Sequence, residues 1–340
     1  MDRADKPLAL TLGDPAGIGP DITLLAFQAR LGVDGGVPPF VLLGDPDVMA
    51  ERARALGLAI RIEPIGEVAA APSVFANALP VLPLSVARPV VAGRPDPANA
   101  AVVQQSIEKA VALVQNGEAS AVVTNPISKA TLTGAGFGFP GHTEFLAALA
   151  GREASDAVMM LVGEGLKVVP VTIHVPLKDV MGALSTERIR KTLEITARDV
   201  ARYFGLARPR IAVTGLNPHA GEDGTMGREE IEMIVPAIEA ARRQGLDVTG
   251  PYPADTLFHA EARKLYDVAV AMYHDQALIP VKTLAFDTGV NVSLGLPFVR
   301  TSPDHGTAFS LAGTGRASAR SLIEALRLAD TMRRNAESAL

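Results

Sequence analysis

Short apolar runs alternate along this chain with longer stretches that repeat their apolar residues at helical spacing. The runs have the length of buried strands, and turn-forming residues border most of them. They fall at residues 8–12, 39–44, 120–126, 167–176, 210–218 and 267–275. A chain that alternates in this way is expected to fold as a layered α/β protein.

Two of the intervening stretches carry recognisable helix boundaries. The stretch 99–117 ends at Gly117, which suits a helix C-terminus, and 185–205 opens with Ser185, whose hydroxyl can cap a helix N-terminus. Both are predicted to be helices packed on a sheet. Residues 80–98 contain several prolines and are predicted to be extended edge segments or loop.

The length of 340 residues exceeds what a single hydrophobic core usually supports, so two domains are expected. The Gly- and Pro-rich stretch 133–143 and the loop-rich stretch 296–307 are the best candidates for the connections. We therefore predict an outer α/β domain made of 1–140 and 305–340, and a second α/β domain, 141–304, inserted into it.

Composition excludes several classes of function. Acidic and basic residues are interspersed and the net charge is -5, so no basic surface for nucleic acid or an anionic membrane is expected. The absence of cysteine excludes disulfides, thiolate metal sites and a cysteine nucleophile, and it fits a cytoplasmic location. No apolar stretch approaches the roughly 18 residues of a membrane span, and the first residues lack a secretory-signal pattern. A soluble, unprocessed protein with a small-molecule partner is expected.

Three of the six histidines, His174, His219 and His274, lie at or just past the ends of predicted strands. Ligands of α/β sheets bind at the carboxyl ends of the strands. Three imidazoles brought together there can coordinate one divalent metal and leave positions open for a substrate. The alternative is three separate histidines, each hydrogen-bonded to nearby backbone, because sequence spacing alone does not bring them together.

Several turns are candidate sites for an anion. The segment 13–20 (GDPAGIGP) follows an apolar run and precedes a helical stretch, which suits either an anion at a helix N-terminus or a tight turn that needs glycine. Two further turns place Lys129, and the pair His142 and Thr143, where a phosphate can bind. For Lys129 a solvated surface charge is the commoner alternative.

Near the end of the chain, two cations, an amide and a loop of small residues fall close together in sequence. They are Lys282, Asn291, Arg300 and the run 302–308. Arg binds phosphate and carboxylate in fork geometry, and Lys binds them as a point charge. Exposed ion pairs are the alternative for both cations. Among known catalytic patterns, Gly-x-Ser-x-Gly, the Walker loop and His-Glu-x-x-His do not occur in the sequence.

Taken together, these segments closely resemble the 4-hydroxythreonine-4-phosphate dehydrogenases, NAD-linked enzymes of pyridoxal-phosphate biosynthesis. The resemblance runs from residue 8 to about 330 and rests on LTLGDPAGIGP, GHTEF, TIHVPL, GLNPHAGE, PADTLF, AMYHDQ, VNVSLGLPFVRTS and DHGTA. It implies the two-domain fold of the isocitrate and isopropylmalate dehydrogenases, with the active site in the interdomain cleft. It also implies a homodimer whose contacts and metal ligands lie in the inserted domain.

The resemblance further assigns roles to residues at matching motif positions. It implies that His174, His219 and His274 bind the metal, shared between the two subunits, and that Lys282 is catalytic and relays the hydroxyl proton. It implies substrate contacts from His142, Thr143, Lys282, Asn291 and Arg300, and cofactor contacts from His305, Gly306 and Thr307. Asp255 and Asp275 stand beside motif positions and either orient the imidazoles or serve as ordinary cap or turn residues.

The implied reaction is oxidation of 4-phosphooxy-L-threonine by NAD or NADP to a 3-oxo acid, which loses carbon dioxide to give 3-amino-2-oxopropyl phosphate. One divalent ion per site, zinc, cobalt or magnesium, would act as Lewis acid and template. Related enzymes act on erythronate or threonate 4-phosphate, or on aromatic cis-dihydrodiols, so the substrate stays open. A metal-dependent hydrolase or aldolase and a non-enzymatic metal- or phosphate-binding module are further alternatives, but neither uses the metal, phosphate and dinucleotide features together.

Overall fold

Residues 6–32, 36–139 and 141–338 are described by a computed structural model, and contacts divide the chain into two compact units. The first unit comprises the described part of Met1–Ala154 together with Leu296–Arg334. The second comprises Ser155–Gly295 and the described part of Asn335–Leu340. These units break at residues 154 and 295, whereas the domain boundaries at 140 and 304 stay a prediction.

The strands of the first unit form an all-parallel sheet. They are β1 (Leu8–Thr11), β2 (Phe40–Gly44), β3 (Ile62–Pro64), β4 (Leu79–Pro83), β5 (Val122–Val123) and β12 (Arg300–Pro303), in the spatial order β3-β4-β2-β1-β5-β12. The strands β1 and β2 are buried along their whole length. Continuous apolar runs of this kind are typical of parallel strands that are covered on both faces.

Helices of the first unit follow the strands in the predicted alternation. They are α1 (Gly19–Ala29), α2 (Pro46–Ala55), α3 (Ala71–Phe75), α4 (Ala100–Gln115), α5 (Lys129–Gly134), α6 (His142–Leu149) and α12 (Arg320–Ser338). The part of α12 up to Arg334 belongs to the first unit. The Asp45 carboxylate caps α2 by accepting from the backbone N–H groups of Asp47 and Val48. The rings of Phe27, Phe40 and Phe75 meet edge to face in the core, so α1, β2 and α3 share one apolar cluster.

The strands of the second unit form a mixed sheet. They are β6 (Val158–Gly163), β7 (Leu166–Pro170), β8 (Ile211–Thr214), β9 (Val248–Tyr252), β10 (Val268–Ala271) and β11 (Val290–Leu294), in the order β11-β6-β7-β10-β8-β9. The strand β6 is antiparallel to both of its neighbours, whereas β7, β10, β8 and β9 are parallel. The carboxyl ends of β7, β10 and β8 therefore meet along one edge of the sheet.

Helices of the second unit are α7 (Val180–Ala183), α8 (Thr186–Phe204), α9 (Val235–Arg243), α10 (Ala254–Leu257) and α11 (His274–Ala285). The predicted cap of α8 is confirmed, because the Ser185 hydroxyl accepts from the backbone N–H of Arg188 at 3.1 Å. The helix ends where Gly205 adopts a left-handed φ of 68°. Val168, Ala269 and Val281 belong to a buried cluster through which α11 packs on the sheet.

Two predicted strands are shorter than their apolar runs. Within the run 167–176, strand β7 ends at Pro170. The chain turns after this residue, and the Val175 N–H donates to the Ile173 carbonyl. In the run 120–126 only β5 is a strand, since Asn125 donates its N–H to the Thr11 side-chain hydroxyl rather than to a backbone carbonyl. In the described part of the chain, no helix is long and apolar enough to cross a membrane.

Candidate active site

The three histidines singled out in the sequence follow three neighbouring strands. His174 follows β7, His219 follows β8 and His274 begins α11 directly after β10. Because these strands are parallel and adjacent in the order β7-β10-β8, the three connections leave the same edge of the sheet. This is the edge at which α/β proteins bind their ligands.

Two of these imidazoles lie close together. The ring centroids of His174 and His274 are 5.9 Å apart. The Nδ1 atom of His274 lies 2.7 Å from Oδ1 of Asp275, which fixes the ring and leaves Nε2 for another partner. Within the single chain, the described residues form no group of three or more His, Asp or Glu side chains placed to hold a metal ion.

The third histidine lines a cavity in the second unit. This cavity has a volume of about 760 Å³ and is bordered by the His219 connection, α10 and α11. Its lining comprises Leu216, Asn217, Pro218, His219, Ala254, Asp255, Phe258, Tyr273, Asp275, Gln276, Ile279, Pro280, Thr283 and Leu284. Asp255 and Asp275 thus face the same space as His219.

Gln276 joins two of the histidine connections, a role that the sequence did not reveal. Its Oε1 accepts from the Thr214 hydroxyl at 2.7 Å and from the Met272 backbone N–H at 2.8 Å. Its Nε2 donates to the Gly215 carbonyl at 2.8 Å. The start of the His219 connection is therefore tied to the turn that places His274. In the sequence, only the position of Gln276 directly after His274 and Asp275 points to this role.

In the first unit, the predicted phosphate-binding residues include a buried arginine and a histidine whose ring lies within reach of its charge. Arg300 is buried at the start of β12 and donates to the Thr124 hydroxyl at 2.6 Å. Loss of hydration lowers the pKa of Arg300 to about 10, so the guanidinium stays charged at neutral pH. Burial, and secondarily the positive charge of Arg300, hold the pKa of His142 well below its usual range.

His142 therefore contributes a neutral ring at the N-terminus of α6. Its Nε2 is buried and has no hydrogen-bond partner within the described residues. Thr143 follows it in the first turn of the same helix. A buried polar atom that lacks a partner is costly unless a ligand or water satisfies it, so this position is suited to a bound group.

The remaining predicted substrate residues, Lys282 and Asn291, belong to the second unit. Lys282 lies in α11 with its Nζ 6.0 Å from the Phe286 ring centroid. Asn291 lies in β11 and is half-buried. The predicted substrate residues are thus distributed over both units.

The predicted cofactor loop, residues 305–307, contacts the Gly-rich turn after β1, which is the segment 13–20. The backbone N–H of Ile18 donates to the Thr307 carbonyl at 3.0 Å. Nδ1 of His305 lies 3.1 Å from the Gly306 carbonyl, so this nitrogen carries the proton, and the buried Nε2 is an acceptor without a partner in the described residues. A Cβ added at Gly306 would meet no atom within 4 Å, so protein packing does not require glycine there. These features fit a loop approached closely by a ligand.

A buried ion pair supports the Gly-rich turn. The Arg52 guanidinium contacts the Asp21 carboxylate and also donates to the carbonyls of Gly17 at 3.0 Å and Pro15 at 3.1 Å. Asp21 in turn accepts from the Gly313 N–H at 2.7 Å. Neither residue stood out in the sequence.

Glycine at position 13 is required by the turn itself. Gly13 has a φ of 71°, and a Cβ there would lie 2.6 Å from the Pro126 carbonyl oxygen. The tight-turn interpretation of the segment 13–20 is thus supported at this position. Lys129 is exposed at the start of α5, consistent with a surface charge.

Comparison with known proteins agrees with this architecture. A family model described as pyridoxal phosphate biosynthetic protein PdxA matches residues 37–329. A 4-hydroxythreonine-4-phosphate dehydrogenase of Methylorubrum populi is 58% identical over 339 residues, which are 98% of this chain and 96% of the relative. The crystal structure of a 4-hydroxythreonine-4-phosphate dehydrogenase from Klebsiella pneumoniae is 37% identical, with a TM-score of 0.86 over 96% of this chain and 99% of that one.

The fold and these matches first define a class: the protein is a dehydrogenase, an oxidoreductase acting on a CH–OH group. The chain belongs to the PdxA family of pyridoxal phosphate biosynthetic proteins, and the predicted fold class is confirmed. A terephthalate 1,2-cis-dihydrodioldehydrogenase from Burkholderia xenovorans is also similar, at 30% identity and a TM-score of 0.63 over 96% of this chain and 98% of that one.

Proposed function

We propose that this protein oxidises 4-phosphooxy-L-threonine with NAD or NADP in pyridoxal phosphate biosynthesis. The product 3-oxo acid loses carbon dioxide and gives 3-amino-2-oxopropyl phosphate. The observation that carries the proposal is the placement of His174, His219 and His274 after three adjacent parallel strands. High identity to relatives named for this dehydrogenase supports the substrate.

The three imidazoles would hold one divalent ion. Neutral imidazole suits zinc and cobalt, whereas magnesium prefers oxygen ligands. The contact between Asp275 and Nδ1 of His274 supports this role, since a carboxylate commonly fixes the ring of a metal-binding histidine. When bound, the ion supplies Lewis acidity toward the substrate hydroxyl and the enolate formed on decarboxylation.

The substrate phosphate and carboxylate require cations and donors from the protein. Arg300 supplies a buried positive charge, and the neutral His142 and the Thr143 hydroxyl supply donors from the first turn of α6. Asn291 positions the substrate through its amide. Lys282 takes up the proton of the reacting hydroxyl as hydride leaves the same carbon for the nicotinamide ring. The later loss of carbon dioxide leaves an electron pair that is protonated from the same side chain.

The loop of His305, Gly306 and Thr307 would hold the dinucleotide. The free acceptor on His305 suits an amino or hydroxyl group of the nucleotide, and the open space at Gly306 allows a ligand to approach the backbone. The carbonyl contact from Ile18 to Thr307 supports the loop from behind.

We also infer that the enzyme is a homodimer that completes the metal site between subunits. Large apolar side chains are exposed close in sequence to the histidines, among them Leu177 at 72% and Phe286 at 77% exposure. Val175, Met181 and Ile279 add to this exposed apolar area. Where such side chains form one contiguous patch, the patch marks a surface that a partner covers. Native mass measurement tests this assembly.

The composition without cysteine continues to favour the cytoplasm.

The decisive experiment follows reduced nicotinamide by absorbance with purified protein, NAD, a divalent metal and 4-phosphooxy-L-threonine. His219→Ala is measured in parallel, together with erythronate and threonate 4-phosphates and an aromatic cis-dihydrodiol. Turnover of the first substrate that the substitution abolishes supports the proposal. Turnover of an analogue alone keeps the chemistry and changes the substrate, and no reduction with any compound refutes the proposed reaction.

A further inference from the structure

We propose that Glu230 is the positioning residue that holds the His219 connection in its metal-binding conformation. The inference rests on the proposed role of His219 as a metal ligand. It assigns to a buried carboxylate the task of fixing the backbone that carries the imidazole.

The His219 connection has an unusual backbone. Residues His219, Ala220, Gly221, Glu222 and Asp223 all have positive φ, at 54°, 53°, 80°, 42° and 55°. Left-handed conformations are unfavourable for residues with a side chain, and they normally occur singly rather than in a run. A strained run of this kind persists only when surrounding contacts determine it.

Glu230 supplies those contacts at the start of the connection. Its side chain lies in the protein interior, and the residue is only 3% exposed. Oε1 accepts from the backbone N–H groups of Leu216 and Asn217, each at 2.8 Å, and Oε2 accepts from the Asn217 amide at 2.9 Å. Charge-assisted bonds of this kind are stronger than neutral ones and offset the cost of burying the carboxylate.

The same carboxylate also fills the inner side of the left-handed run. A Cβ added at Gly221 would lie 2.5 Å from Oε2 of Glu230, and one added at Gly215 would lie 3.0 Å from Oε1. The backbone therefore wraps closely around the carboxylate on both sides of His219. Because no Cβ fits between Gly221 and the carboxylate, the backbone next to His219 is held directly against Glu230.

Glu230 lies at the start of a widened helical turn. Residues Glu230–Ile234 form a π-helical turn, which continues into α9. Such widened turns are frequent at functional sites. Here the first residue of the turn is the one whose carboxylate binds the start of the His219 connection.

The test compares metal affinity in the full-length protein, with Co²⁺ as the probe and calorimetry as the measurement. Glu230→Gln keeps the size of the side chain but turns one acceptor into a donor facing the Asn217 amide. We expect Co²⁺ affinity to fall by about 10- to 100-fold, the usual effect of losing a residue that orients a metal ligand. Hydrogen exchange of the metal-free protein should show faster exchange at the amides of Leu216 and Asn217.

Asp199→Asn is the matched control. Asp199 is also a buried carboxylate of the second unit, but it accepts from the Gly295 N–H instead of the His219 connection. It should lower thermal stability without changing Co²⁺ affinity. Gly221→Ala, which pushes a Cβ against Glu230, is the second test variant and should also weaken Co²⁺ binding.

The outcomes separate this inference from the function on which it rests. If His219→Ala loses Co²⁺ binding while folded Glu230→Gln and Gly221→Ala bind as the wild type does, Glu230 has no positioning role. If His219→Ala itself binds Co²⁺ normally, the metal role of His219 fails and the inference fails with it. Weaker binding in both test variants with unchanged binding in Asp199→Asn supports the inference.

Discussion

The His219 connection in the second unit and the His142–Arg300 region in the first unit treat buried polar groups in opposite ways. Around Glu230, both carboxylate oxygens have backbone or amide donors. At His142, by contrast, a buried ring nitrogen has no partner in the described residues, next to a buried arginine charge. The first region is held by its own contacts, whereas the second leaves a buried ring nitrogen available for the substrate that we propose binds there.

This difference has a physical meaning for catalysis. A metal ligand must be held in place before the ion arrives, because strain in the loop would otherwise reduce affinity. A substrate site gains from polar groups that are satisfied only on binding, since a buried polar atom without a partner then favours the bound state. Substitutions in the two regions should therefore differ in whether they affect stability, ligand binding or both.

The largest expected effect comes from removing the His219 imidazole, which we propose binds the metal. Lewis-acid stabilisation is worth several kcal/mol, so His219→Ala should lower kcat/KM by roughly 1,000-fold or more. The side chain is exposed, so the free energy of unfolding without metal should change by less than about 0.5 kcal/mol. Steady-state kinetics and urea unfolding check both statements. Retained activity would place the metal elsewhere.

The next effect concerns Arg52, which supports the Gly-rich turn that contacts the predicted cofactor loop. Arg52→Met leaves the buried Asp21 carboxylate without its ion-pair partner, so the free energy of unfolding should fall by about 3 kcal/mol. Urea unfolding of the metal-free protein measures it. Arg61→Met, which removes an exposed ion pair with Glu63, is the control and should cost at most about 1 kcal/mol. Equal losses in the two variants would contradict the structural role of Arg52.

The depressed pKa of His142 makes the free energy of unfolding depend on pH. Because the folded pKa lies below the unfolded value near 6.5, the unfolded state binds the proton first as pH falls. The contribution of neutral His142 to the free energy of unfolding is complete above about pH 6.5. Below that pH it is lost at up to about 1.4 kcal/mol per pH unit. His142→Gln should remove this component of the slope when urea unfolding is measured from pH 7.5 to 5.5. An unchanged slope would mean that the ring is not buried in its neutral form.

The sequence predicted the fold well where local pattern and tertiary structure coincide. The runs that became β1, β2, β8 and β10 are apolar because parallel strands are covered on both faces, and α8 carries both its cap and its terminal glycine. Apolar residues continue after Pro170 and predict strand there, but a turn at Val175 ends the pairing. Periodicity does not reveal such a turn.

The candidate site was predictable only in part. Histidines after strands point to the carboxyl edge of a sheet, so their placement followed from chain order and parallel pairing. Glu230, Gln276 and Arg52 were not singled out, because their partners are mainly backbone groups distant in sequence. Residues that act through backbone contacts leave no motif, and only the folded chain shows what they hold.

The smallest effect is expected at the N-terminus of α8 and defines the baseline of the comparison. Ser185→Ala removes the hydroxyl that caps α8 by accepting from the Arg188 N–H. The free energy of unfolding should therefore fall by about 1 kcal/mol. Because this cap contacts none of the predicted site residues, kcat/KM and Co²⁺ affinity should stay at the wild-type values. Ser185→Thr retains a capping hydroxyl and should recover most of the loss. If Ser185→Ala weakened metal binding as much as Glu230→Gln, the His219 connection would depend on general stability of the second unit instead of on its own carboxylate.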